Sequence, residues 1–428
     1  MHYIIMLKIA DIHIIEGTDK SIIYHIPTNT ILKVDSSVAK QFYSELSYDK
    51  ECDISENTKL IIQKIQQNEF LGTSHSSWME THVLGKLTLV VATSCNLRCK
   101  YCYAEGGVYS GYDEQLLTAE EGKDIIDYYL AKGVKLIKTI MFFGGEPLLA
   151  LESINEICNY VEQLVKNRKL EIIPSFKIVT NLTHIPKNFE TVLNMHNIQL
   201  TVSIDGPKKI HDLQRVDMCN CGTFDEVSKN ILRYKKYIAA LESTYTMNHI
   251  HFGMSLNDTR IWLANTFGFQ LSSVFVVPVM NMQNLEVNRK EYAKSLETSE
   301  LTEEDYVVAS AFNPKAQSDL FCQAGYSTAC VMPNGDVYPC HMYANFPNYC
   351  LGNIFYDTRY SLKTIKEKLP ISKNKLDRCK KCWARKFCRI CLAKIPYTDK
   401  TVEGYLNDQL CADLCYDYEQ VFKKLSGI

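Results

Sequence analysis

Long apolar stretches are missing from this chain. No run among its 428 residues approaches the ~20 that a membrane-crossing helix needs. A charge of one sign is missing too. Against 47 Lys and Arg stand 49 Asp and Glu, a formal net charge of −2, so the balance gives no reason to expect nucleic acid or an anionic membrane as partner. The opening residues, MHYIIMLKIADIHIIEG, are interrupted by charge and carry no small-residue cleavage pattern, which argues against a secretory signal. No internal repeat or low-complexity tract occurs. What the chain has in excess is cysteine, 17 in all, an odd number. In an exported chain that would suggest disulfides. Without an export signal the expectation is reduced thiols that bind metal, in the cytoplasm. The hydrophobic fraction of 46% and charged fraction of 22% are ordinary for a globular protein, and the length allows two or three domains.

Residues 1–83 differ in pattern from the remainder of the chain. Short β-type runs at 3–9, 12–15 and 22–25 lead into turn residues at Pro27 and Asn29. Helical patterns then cover 38–46 and 58–66, with Asn57 and Thr58 as cap residues. From 84 to 281, apolar runs recur at 87–92, 139–143, 176–180, 200–204, 250–256 and 274–279. The helical stretches between them open with a hydroxyl and, three residues on, a carboxylate: Thr118 with Glu121, Ser153 with Glu156, Thr223 with Glu226. Six β/α units predict an α/β fold, a parallel sheet curled into a partial (β/α)6 barrel with its site at the strands' carboxyl ends. Residues 282–319 read as a polar connector, in which Thr302 and Asp305 cap a helix. Residues 320–428 hold ten of the cysteines and close with a helix over 403–425.

Directly after the first barrel run come Cys95, Cys99 and Cys102, spaced C-x3-C-x2-C. A tetrahedral thiolate zinc site needs four such ligands, whereas a [4Fe–4S] cluster held by three keeps one iron open. The run TSCNLRCKYCYAEGG, with the aromatic Tyr101 before the third cysteine, resembles the radical SAM superfamily. The resemblance implies S-adenosylmethionine (SAM) on the open iron through its amino and carboxylate groups. It also implies reductive cleavage of SAM to a 5′-deoxyadenosyl radical that takes hydrogen from unactivated C–H bonds. Gly144, Gly145, Glu146 and Pro147 follow the second run and resemble the family's SAM-amino-group loop, where glycine permits close backbone approach. Asn181 ends the third run. Ser203, Ile204, Asp205, Gly206 and Pro207 end the fourth, followed by His211, Asp212 and Arg215, an arrangement that resembles peptide-modifying members. That implies Ser203 and Arg215 as contacts to the SAM ribose or carboxylate, since a guanidinium fork matches a carboxylate. The alternative is that Ser203 and Asp205 only build the turn. Cys219 and Cys221 read as spare thiols.

Late in the chain Cys322, Gly335 and Cys340 are spaced C-x12-G-x4-C, and Cys379, Cys382, Cys388 and Cys391 are spaced C-x2-C-x5-C-x2-C, ahead of Cys411 and Cys415. This resembles the SPASM domain, whose last inner spacing is usually one residue longer. The resemblance implies a first auxiliary [4Fe–4S] cluster on Cys322, Cys340 and Cys391. It implies a second on Cys379, Cys382, Cys388 and one of Cys411 or Cys415. Cys330, Cys350 or a substrate thiolate remain for the first cluster's fourth position. Paired zinc ribbons are the alternative. Residues 1–83 resemble, in size and order, a winged-helix-like domain that binds the leader of a precursor peptide; a plain barrel cap is the alternative. The function so implied is a peptide maturase forming thioether links from cysteine sulfur to carbon, with a leader-bearing precursor as substrate and a reductant such as flavodoxin or ferredoxin. Competing readings are formylglycine formation as in anaerobic sulfatase maturases, carbon–carbon crosslinking, and a zinc-stabilised binding module. The sulfatase maturases usually carry Asp after the cysteine matching Cys340, where this chain has His341.

Overall fold

A computed structural model describes residues 7–47, 54–67, 77–109, 111–279, 284–287, 319–356, 361–369, 372–388, 390–397 and 401–428. Three strands, β1 (Ile12–Ile15), β2 (Lys20–His25) and β3 (Thr30–Asp35), form an antiparallel meander in that order. Helices α1 (Ser36–Ser47) and α2 (Glu56–Gln66) come next in the chain. The strand β3 was not expected from the sequence, where Lys33 and Asp35 dilute its apolar alternation. Of the expected first run, 3–6 lie outside the described residues, and Ile9–Asp11 is a 3-10 turn. Ser55, rather than Asn57 or Thr58, caps α2, its hydroxyl accepting the Thr58 N–H at 3.2 Å. Asn57 and Thr58 are already inside the helix, and only the residue before it has extended backbone free to fold back.

The six barrel strands are β4 (Lys86–Ala92), β5 (Thr139–Gly144), β6 (Ser175–Thr180), β7 (Gln199–Ser203), β8 (Ile238–Tyr245) and β9 (Val274–Pro278), each parallel to the next. Between them run α3 (Ala119–Ala131), α4 (Leu151–Lys166), α5 (Phe189–Met195), α6 (Lys208–Gln214), α7 (Phe224–Tyr234) and α8 (Leu256–Phe267). Parallel strands covered on both faces read as nearly continuous apolar runs, and Leu87, Leu89, Ile140, Phe142, Ile178, Leu200 and Leu241 are wholly buried in one core.

The fifth strand corrects the sequence expectation. Residues 250–256 hold the end of a short helix, Met247–His251, then Gly253 at φ +70° and the first residue of α8. The true strand β8 contains Ala239, Ala240 and Glu242, residues of weak β preference that pairing between β7 and β9, with Leu241, Ser243 and Tyr245 buried, overrides. Thr118 and Glu121 do form a capping box on α3. Ser153 does not cap, because α4 already begins at Leu151, continuing from the 3-10 turn Pro147–Ala150. Thr223 precedes α7 but spends its hydroxyl on the Arg215 carbonyl and the His211 ring, each at 3.0 Å, while Glu226 accepts from Asn230.

The cysteine-rich part grows from the barrel itself. Strand β10 (Thr328–Val331) pairs in parallel with β4, and β11 (Asp336–Tyr338) and β12 (Gly352–Asn353) extend the sheet antiparallel. One nine-stranded sheet results, ordered β9-β8-β7-β6-β5-β4-β10-β11-β12. The closing helix is α9 (Asp408–Ser426), set off from a short turn of helix, Val402–Tyr405. Thr302 and Asp305 lie outside the described residues, as does most of 282–319. No described helix is long and apolar enough to cross a membrane.

Candidate active site

Strand β4 delivers the chain to the sheet's carboxyl edge, where residues 93–107 turn back as the loop bearing Cys95, Cys99 and Cys102. Backbone bonds fasten that loop to the end of α6 and the segment after it: Lys100 N–H to Gln214 at 2.8 Å and Arg98 N–H to Val216 at 2.7 Å. The three thiols lie close enough for each charge to be felt by the others. Burial pushes Cys95 up to about 12. Burial also pushes Cys99 up to about 11, against the opposing pull of Arg215. Such thiols stay protonated until a cation draws the protons off, so loading with iron releases protons here. Among the described residues, no three His, Cys, Asp or Glu side chains are arranged to hold a single metal ion.

The loop after β5 lies flush against the cysteine loop. Gly145 N–H donates to the Ala92 carbonyl at 2.8 Å and Glu146 N–H to that of Ser94 at 2.9 Å. A Cβ on Gly144, whose φ is +146°, would stand 2.2 Å from the Ala92 oxygen, and one on Gly145 would stand 2.1 Å from that of Ser94. Only glycine allows this approach. Glu146 is fully buried and turns inward. One carboxylate oxygen accepts the Thr180 hydroxyl at 2.6 Å and the Leu148 N–H at 3.0 Å; the other accepts the Asn181 N–H at 2.8 Å. Burial raises its pKa, while these bonds pull it back. Its side chain therefore ties the ends of β5 and β6 together, and the glycine backbone is the part of this loop against the cysteines. Pro147 is buried and starts the next turn.

Asn181 stands where β6 ends, its amide nitrogen 3.8 Å from Cys95 Sγ and 3.0 Å from Asn96 Oδ1. Ser203 ends β7, partly buried and paired in register with Glu242. Arg215 is 7% exposed; it donates to the Tyr101 hydroxyl and stands 3.7 Å from Asp205. Asp205 is the hub: it accepts from Tyr101 at 2.7 Å, Gln214 at 2.9 Å and the Thr244 N–H at 3.1 Å. No sequence signal marks Gln214, Thr244 or Asn96, ordinary polar residues whose value lies in what folds against them. Arg215 Nε is buried with no hydrogen-bond partner among the described residues. An orphaned guanidinium N–H beside Cys99 fits the carboxylate of a SAM bound there. His211 packs behind the hub, between the Asp205 N–H and Thr223, and burial holds it neutral, lowered to about 4. Cys219 and Cys221 lie exposed on a turn around Asp217, apart from this group.

Two further thiol groups lie in the cysteine-rich part. Cys322, Cys340 and Cys391 sit within charge range of one another, and Tyr343 feels all three. Burial pushes Cys340 up to about 12. Cys330 is fully buried on β10 beside Cys340. Cys350 is turned away, its thiol on the Gly352 carbonyl at 3.4 Å, in a cleft with Asp336 and Lys368. The second group surrounds a cavity of about 90 Å³ lined by five thiols, Cys379, Cys382, Cys388, Cys411 and Cys415, with Lys373, Arg378 and Arg385 in its wall. Cys411 and Cys415 lie one turn apart on α9, so both reach the cavity. Cationic walls around thiols fit an anionic thiolate-bound cluster.

Residues 89–260 match the radical SAM superfamily, and residues 322–391 match SPASM, an iron–sulfur cluster-binding domain. Over 342 residues the chain is 25% identical to the cysteine-type anaerobic sulfatase-maturating enzyme of Clostridium perfringens (strain 13 / Type A), covering 72% of this chain and 88% of that enzyme. Its fold resembles that of native anSMEcpe with bound AdoMet, with a TM-score of 0.60 at 22% identity over 79% of this chain and 96% of that one. It also resembles Streptococcus suis SuiB bound to S-adenosylmethionine, with a TM-score of 0.51 at 17% identity over 94% of this chain and 98% of that one. At these identities the structural likeness is one of fold.

Glu146→Ala strands two buried N–H donors and a hydroxyl, each at about 1–3 kcal/mol. A lower thermal unfolding midpoint than wild type is expected for the iron-free chain. Equal midpoints would show that the carboxylate does not tie the strand ends.

Proposed function

This chain is a radical SAM enzyme with a C-terminal SPASM domain that acts on a peptide, and from that premise we propose that it forms thioether links in a ribosomally made precursor. When bound, the SAM-carrying cluster supplies a 5′-deoxyadenosyl radical able to take hydrogen from an unactivated C–H bond. Cys95, Cys99 and Cys102 would hold that cluster. The backbone of Gly144 and Gly145, the Asn181 amide, Ser203 and the Arg215–Tyr101 pair would hold and orient SAM. Cys379, Cys382, Cys388 and one of Cys411 or Cys415 would hold the second auxiliary cluster.

One observation carries the thioether reading above the others. The first auxiliary group has three thiols at the motif spacing, Cys322, Cys340 and Cys391, while Cys350 spends its thiol on the Gly352 carbonyl and Cys330, next to Cys340, is part of strand β10. A cluster on those three keeps an iron free for a substrate cysteine, which would bring sulfur and the attacked carbon into one site. The precursor-peptide reading is supported by the likeness to SuiB, solved bound to precursor peptide SuiA, whose fold covers 94% of this chain. Residues 1–83 would recognise the leader as an added strand on a sheet edge, and a small reductase such as flavodoxin or ferredoxin would deliver electrons.

Formylglycine formation is the second reading, favoured by the 25% identity to a sulfatase-maturating enzyme. Against it stands His341 at the position after Cys340. Its ring lies 4.5 Å from that of Phe143, and burial lowers it to about 3, so it stays neutral.

Cys99→Ala is expected to abolish 5′-deoxyadenosine production while auxiliary iron remains; retained production would defeat the ligand assignment. Mass spectrometry of a co-expressed cysteine-bearing precursor should show a loss of two hydrogens per link, with the thiol no longer alkylated. An aldehyde captured by a hydrazide reagent would favour formylglycine instead.

A further inference from the structure

Both faces of the N-terminal three-stranded sheet are covered, by different parts of the chain. Along β2, Ile23 packs with Phe42 and Ile61 of its own helices. Ile22 and Tyr24, pointing the other way, pack with Ile15 and Ile26 against Ala384, Phe387, Tyr418 and Phe422, more than 350 residues later. Cys382, Leu414 and Cys415 lie against this same cluster. Ala384, Tyr418, Cys382, Leu414 and Cys415 also line the five-thiol cavity. The N-terminal sheet thus backs the wall of that cavity directly.

Specific contacts sharpen the fit. The His13 ring stacks on Trp383, the residue after Cys382, with centroids 4.0 Å apart and planes within 7°. His13 Nε2 meets Glu419 of α9 at 3.2 Å, one turn beyond Cys415. Tyr24 packs its ring against Phe387 at 5.3 Å and Trp383 at 6.3 Å, the residues just inside the Cys382–Cys388 interval. Lys386, nearly buried, donates to the Pro27 carbonyl at 2.9 Å. The loop carrying Cys382 is a short 3-10 turn, and the helix carrying Cys415 lies at the surface. Their thiols stand 3.9 Å apart, and among the described residues the sheet behind them is the N-terminal one.

We propose that the N-terminal sheet is the outer wall of the second auxiliary cluster site, in which His13 and Tyr24 are positioning residues that hold the Cys382 loop against α9 and exclude water. The unit expected to recognise a leader is on this account also required for cluster retention, whether or not a peptide is present. The proposal rests on the five-thiol cavity holding a cluster.

The test uses the full-length chain reconstituted without oxygen, with iron release to a chelator followed by absorbance and the reduced clusters followed by electron paramagnetic resonance. In His13→Ala, one cluster's iron, roughly four atoms per chain, should leave severalfold faster than in wild type, with the other signals unchanged. His13→Phe restores a ring over Trp383 and should restore the slow rate. Tyr24→Ala should be isolated with one cluster fewer, whereas Tyr24→Phe, which loses only a hydroxyl bonded to Asn29 at 3.2 Å, should keep all three. If Tyr24→Ala does not fold, the His13 pair decides alone. Wild-type release kinetics in His13→Ala, or failure of His13→Phe to rescue, overturns the wall. Wild-type protein that binds iron only at the Cys95 loop fails the cluster assignment instead.

Discussion

The mouth of the barrel depends on two backbones lying in contact, 92–94 of the cysteine loop and 144–146 after the next strand. Two hydrogen bonds join them, and the absent Cβ atoms of Gly144 and Gly145 let them close. Parallel neighbours β4 and β5 bring these segments side by side, so the contact is a consequence of strand order as much as of local sequence. Glu146 then draws in the end of β6 and sets Asn181 beside Cys95. Remove the close approach and three strand ends lose their common reference.

Electrostatics follow from that geometry. Burial holds Cys95 and Cys99 on the cysteine loop neutral, as it does Cys388 at the five-thiol cavity, and cations stand beside both: Arg215 at the first, Lys373, Arg378 and Arg385 at the second. Each site is thus prepared for a negatively charged cluster before one arrives. The cysteine-rich part is no appendage. Its strand β10 pairs with β4, and β11, which leads to Cys340, pairs with β10, so the cysteine-rich part continues the barrel sheet that carries the Cys95 loop.

Much of this was legible in the sequence because the chemistry is local. C-x3-C-x2-C, the double glycine and the C-x2-C-x5-C-x2-C run from Cys379 to Cys391 are patterns of residues a few positions apart, and five of the six barrel strands announce themselves as apolar runs. The misses share a cause. Strand β8 is made by its neighbours rather than by Ala240 and Glu242, and β3 by its pairing with β2. Thr223 looked like a cap until His211 and Arg215 folded over it. Glu146 looked like part of a ligand loop, and only the ends of β5 and β6 reveal where its carboxylate goes. Both Cys411 and Cys415 reach one cavity because a helix turn separates them, which spacing alone left undecided. The seating of His13 on Trp383 joins the two ends of the chain, a relation invisible to any local pattern.

If Cys95, Cys99 and Cys102 hold a cluster with one iron free for SAM, electron–nuclear double resonance on the reduced, full-length protein, mixed with SAM labelled with 15N in the amino group and 13C in the carboxylate, should show strong coupling of both nuclei to the cluster. A reduced cluster on those three cysteines that shows neither coupling in the presence of saturating SAM would contradict that assignment.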